Sequence, residues 1–176
     1  MGNRHIFILI DCTLNSEIAQ LSANEAGCIY VNYDTITREF QDFFTKSFGR
    51  NQSQMNLTAI YAMGFRTSLK TCKDIISCDK DVILSVPSPA YFREIGNLEN
   101  YKEDVGLTSA TTNINYIMAK QDGEFDSEAL MVKMGKYTID IWSENKSFVK
   151  ESKILDNDIT SAVKYISDKI KEISQR

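Results

Sequence analysis

The chain predicts an α/β fold, a mixed sheet in a three-layer or two-layer sandwich, with α+β as the alternative. Three observations carry this. The runs His5-Ile6-Phe7-Ile8-Leu9-Ile10 and Val82-Ile83-Leu84-Ser85-Val86 are almost unbroken apolar and β-branched residues, as strands covered on both faces are. Segments with helical apolar spacing alternate with such runs, which favours a sheet sandwiched by helices. Late in the chain, residues 136–142 alternate polar and apolar side chains, as a half-exposed strand does. The 176 residues suit one domain spanning 1–176, long enough to bury about two-thirds of the unfolded surface.

The first central strand, 5–10, ends at Asp11, and a short helix is expected over 17–26. Residues 28–33 read as a second central strand, opened by Gly27. Asp34 or Thr35 can cap a helix over 35–48. Its Ile36, Phe40, Phe43, Phe44 and Phe48 fall at i, i+4, i+7, i+8 and i+12, an apolar stripe expected to pack in the core. Gly49 stands where a left-handed cap belongs. Residues 57–63 read as a third strand closed by Gly64, followed by a short helix over 67–78. The fourth strand, 82–86, stops at Pro87-Ser88-Pro89, because proline has no N–H to donate to a ladder. A helix over 90–103 and a strand over 113–119 follow. A hairpin over 136–150, turning at 143–146, leads to a helix over 158–174 capped by Asn157 or Asp158. Ile159, Ala162, Val163, Ile166, Ile170 and Ile173 line one stripe of that helix.

Composition narrows the function. With 24 acidic and 20 basic residues, the net charge is −4, unlike a chain built to coat nucleic acid, so nucleic acid is not an expected partner. A single histidine, His5, leaves little scope for imidazole chemistry. Cys12, Cys28, Cys72 and Cys78 form no C-x-x-C pair and read as reduced thiols of a cytoplasmic protein. No apolar run reaches the 18 or so residues of a membrane helix, and residues 6–10 are too short for a signal-peptide core. A phosphate-binding Gly-rich loop, a G-x-S-x-G elbow and an H-E-x-x-H motif are all missing from the sequence.

One motif could carry chemistry. Asp11 closes the first strand, and ligands of open α/β sheets sit beyond carboxyl ends of strands, where an acidic residue can hold a divalent ion. The run Asp11-Cys12-Thr13-Leu14-Asn15-Ser16 resembles the D-x-S-x-S metal loop of von Willebrand A domains, departing from it at Asn15. An apolar strand ending in Asp also resembles the opening of PIN and NYN ribonucleases, which gather carboxylates around Mg²⁺. That resemblance implies Asp104, Asp122 and Asp126 as partners. It supports a divalent-metal-dependent phosphoesterase or nuclease, with Asp11, Thr13 and Asp104 around Mg or Mn. Asp11 serving only as a turn cap is the plainer alternative.

The leading expectation is different: a non-catalytic, cytoplasmic protein-interaction or assembly subunit, without cofactor or membrane, acting on a protein partner or as a homo-oligomer. Trp142, Phe148 and Val149 on the late hairpin are its expected contacts, since a hairpin added late joins the sheet margin, where unpaired backbone can template another chain. A small-ligand sensor with a pocket near Pro87 to Tyr91 is the third reading.

Overall fold

The unbroken apolar run after Arg4 forms β1 (His5–Cys12), with parallel strands on both flanks and its residues buried on both faces from His5 to Ile10. The computed structural model describes residues 4–13, 17–49, 54–107, 112–128, 130–144 and 151–175. The remaining strands are β2 (Ile29–Asn32), β3 (Val82–Pro87), β4 (Asn113–Asp126), β5 (Met131–Ser143) and β6 (Glu151–Leu155). They form one mixed six-stranded sheet in the order β2-β3-β1-β4-β5-β6. The first four strands are parallel, and β5 and β6 are antiparallel additions at one side.

Helices cover both faces. On one face α1 (Ile18–Ala26) and α6 (Ile159–Ser174) bury Phe7, Leu9, Ile83, Ile117, Ile139 and Ile141. On the other, α3 (Gln54–Ser77), α4 (Ser88–Glu94) and α5 (Leu98–Val105) bury Ile6, Ile8, Ile10, Val82, Leu84 and Tyr116, with the base of α2 (Tyr33–Phe48) beside them. The architecture is therefore the three-layer α/β sandwich. α6 presents the expected isoleucine stripe, with Ile166 fully buried, and its N-cap is Asp158, whose carboxylate accepts from Thr160 N and Ser161 N at 3.0 and 3.2 Å.

Several expectations need correction. Residues 57–63 are helix, inside α3. Ile60, Phe65, Leu69 and Cys72 continue one helical stripe through the supposed strand end, and all are buried. Gly64 does not end an element; it lets α2 and α3 touch, since a Cβ there would clash with Thr37 Oγ1. The strand at 28–33 is real but short and lies at the sheet edge rather than its centre. The α2 cap is Asn32, whose side chain accepts from Asp34 N at 2.8 Å. The region 90–103 is broken into α4, a 3₁₀ turn (Ile95–Asn97) and α5. The late hairpin is also redrawn: β5 starts at Met131, pairs first with β4, and only then with β6. Residues 147–150, read as its second strand, lie outside the described residues.

Two features outrun the sheet at its carboxyl edge. α3 has 24 residues, about 36 Å at 1.5 Å per residue, whereas the six residues of β3 span about 20 Å. Its partner α2 is buried only at Tyr33 and Thr37, so the distal ends of both helices overhang. Likewise β4 pairs with β1 only as far as Lys120, and β5 meets β6 only from Tyr137, which leaves 121–126 of β4 and 131–136 of β5 as a two-stranded arm. A register shift beyond Gln121 marks its base, and Gly135 fits there because a Cβ would meet Asp122 Cβ at 3.0 Å.

The Gly64 contact is testable. Gly64→Ala should destabilise the fold by about 1–3 kcal/mol, the usual cost of overpacking. Combining it with Thr37→Ala, which removes the clashing hydroxyl, should recover part of the loss in denaturant unfolding. No recovery in the double variant would refute the crossing as the cause.

Candidate functional site

The carboxyl ends of β1 and β3 are the natural place to look for chemistry. β1 hands the chain to α1 on one face, and its neighbour β3 hands it to α4 on the other. The crevice between two such strands is the topological switch point at which open α/β sheets bind ligands. Asp11 pairs with Pro87 there.

Asp11 is half-buried, and strand alternation puts its side chain on the α1 and α6 face with Phe7 and Leu9. Its Oδ1 accepts twice from Thr13, from the backbone N–H at 2.8 Å and from Oγ1 at 2.7 Å. That arrangement is a turn closed by its own side chain. Burial lifts the Asp11 carboxyl above the usual carboxylate range, against the lowering pull of those two Thr13 hydrogen bonds. The same carboxyl lies near the Tyr137 phenol and helps, after burial, to raise the phenol's pKa.

The structure does not bring the expected metal partners together. Asp104 sits on α5, in the helical layer of the opposite face, and pairs with Arg66 of α3 at 3.5 Å. Asp122 is exposed at the base of the arm, and the Asp126 side chain is outside the described residues. Among the described residues no group of three or more His, Cys, Asp or Glu could hold a metal ion. The histidine is at the other end of β1, with Nδ1 3.1 Å from Asn115 Nδ2, and burial lowers its pKa. Near the third candidate place, Pro87 and Ser88 are half-buried, but Tyr91 is core, in ring contact with Phe92 and Tyr116.

The expected protein contacts also shift. Trp142 is half-buried and stacks on Tyr116 at 5.3 Å, on the α4 and α5 side of the sheet. Phe148 and Val149 lie outside the described residues. What the sequence presents as core is the larger surprise: Phe43 is 61% and Phe48 71% exposed. Their rings chain through Phe44, with centroids 5.8 and 5.6 Å apart. The stripe is intact, but only its base reaches the sheet.

Two buried charged networks have no sequence signal. Glu94, almost fully buried, takes Arg93 Nε at 2.8 Å and Tyr101 OH at 2.9 Å. Arg93 also donates to Tyr33 OH at 3.1 Å and lies 3.8 Å over the Tyr61 ring, so one ion pair ties α2, α3, α4 and α5. Burial first, then Glu94, pushes the Tyr101 phenol up to about 12. Toward the amino end, buried Lys102 donates to both Glu144 oxygens at 2.9 Å, and Tyr116 OH donates to the same carboxylate. Both networks are internally paired, as buried charges must be, and read as fasteners between elements.

Comparison with protein-family models, with curated proteins and with solved structures finds no match.

Asp11 offers a sharp test. A carboxyl raised in the folded state contributes its full stability below its unfolded pKa of 3.8 and loses it as pH rises through the folded value. At pH 7 the ionised Asp11 is therefore a cost. Asp11→Asn keeps an acceptor for Thr13 without the charge, so it should raise Tm at pH 7 and leave it unchanged near pH 3. A lower Tm at pH 7 would show that the charge itself holds the turn.

Proposed function

We propose that this chain is a non-catalytic protein-interaction subunit that docks through the distal half of α2. The observation that carries the reading is the pair of phenylalanines, 61% and 71% exposed, on a helix end that outruns the sheet. Soluble chains rarely leave such aromatic surface grouped and uncovered, and where they do it marks contact sites. Phenylalanine is also enriched in interface centres.

The area argues for the kind of partner. An aromatic side chain offers roughly 150–250 Å², so two partly exposed rings supply a few hundred Å² at most. A standard interface needs about 800 Å² per partner. The two rings alone would thus bury too little for a stable interface with any partner. The reading that fits is a knob: the aromatic end enters an apolar cleft of a different protein, and surrounding surface completes the contact.

The Asp11 site supports this reading less directly. Its Oδ1 is engaged by Thr13, and Asp104 pairs with Arg66 in the opposite helical layer.

The test is the double variant Phe43→Ser/Phe48→Ser, whose exposed positions should leave Tm within a degree or so of wild type. A partner identified with wild type and rebuilt from purified components should bind the variant at least about tenfold more weakly, ~1.4 kcal/mol. Equal affinity would overturn the reading. Concentration-dependent dimerisation in sedimentation, lost in the variant, would overturn the choice of a foreign partner in favour of a second copy.

A further inference from the structure

The opposite, amino edge of the sheet holds a cavity of about 340 Å³, within the size range of small-ligand sites. Its walls come from the start of β1, the turn into β2, the segment before β3 and the last turn of α6. No part of the α2 end contributes, so a ligand there is independent of docking through the exposed phenylalanines.

Its chemistry is an inventory of donors and acceptors. Arg4, Lys80 and Lys171 bring three cations, and Asp79 and Asp81 two carboxylates. Both carboxylates are engaged. Asp79 Oδ1 pairs with Arg4 Nε at 2.5 Å and feels Lys80 as well, and Asp81 Oδ1 accepts the His5 N–H at 2.9 Å. The Cys28 thiol adds no charge, because burial and Asp81 push it up to about 11. Lys171, by contrast, has no ion pair or hydrogen bond among the described residues. Ser174 also lines the cavity, but its Oγ is shielded from solvent. Lysine only donates. What the cavity has left over is therefore donors and positive charge. The carbonyl end of α6 disfavours an anion, and Lys171, in that last turn, offsets it.

We infer that this cavity binds a small organic anion through a carboxylate or phosphate group, held by Lys171 and Lys80. The donor surplus suits either group equally, and the walls leave room for a few carbon atoms beyond it.

The experiment uses the full chain and two probes, inorganic phosphate and succinate, at constant ionic strength with chloride as control. Binding only the folded state raises Tm by mass action. At least one probe should give a saturable rise that chloride does not reproduce. Lys171→Met should weaken that binding about tenfold or more, with its unliganded Tm unchanged. A response to phosphate alone assigns a phosphoryl ligand, and to succinate alone a carboxylate. No saturable rise with either probe overturns the inference. So does a rise that chloride matches, or one that survives in both Lys171→Met and Lys80→Met.

Discussion

Everything in this molecule is arranged around the complete burial of β1. Residues Ile6 to Ile10 are wholly inaccessible to solvent, and burying such side chains contributes about 1.5–3 kcal/mol each. That requires cover above, below and on both flanks. Parallel strands on both sides supply the backbone partners, and parallel neighbours require long crossovers, which here are the helices of the two outer layers. The sites are a consequence. Because the chain leaves β1 and β3 toward opposite faces, the topological switch point lies at the carboxyl edge. At the amino edge, helices and strands start and stop together and leave the cavity lined by the end of α6.

Much of this is legible in the residues. The strands 5–10 and 82–86, the helices over 35–48 and 158–174, and the alternating pattern leading into the late hairpin are each announced by period and punctuation. The failure at 57–63 has a physical cause. Seven residues of mixed apolar and small side chains fit a strand or about two turns of buried helix equally well, and only the longer stripe through Phe65, Leu69 and Cys72 separates them. Reading Gly64 as punctuation compounds the error. A glycine inside a helix can serve close approach instead, and nothing local distinguishes the two uses.

The candidate sites are less legible for a related reason. Periodicity says which face of a helix is apolar, but not how far the element beneath it extends. Ile36, Phe40, Phe43, Phe44 and Phe48 do form a stripe, yet its outer part is not core, because the sheet ends before the helix does. Glu94 and Lys102 are invisible for the opposite reason. A charged residue in a helix is ordinary, and only the fold reveals that Arg93, Tyr101 and Glu144 close around them. Asp11 stands out, since strand ends are marked in sequence, but its partners could come only from distant segments.

The overhang of α2 and α3 also bears on how the molecule breathes. At its base the helical hairpin is anchored by the core, by the close contact at Gly64 and by the Arg93 ion pair with its tyrosines. Toward the tip such restraints fall away, and no residue of α2 beyond Thr37 is buried. Segments with few buried contacts open at a fraction of the global unfolding free energy. The hairpin should therefore fray inward from its free end while the sandwich stays closed. Amide protection would then rise step by step from Phe48 toward Tyr33 along a single helix, making α2 a graded element whose outermost turns are ordered by whatever they touch.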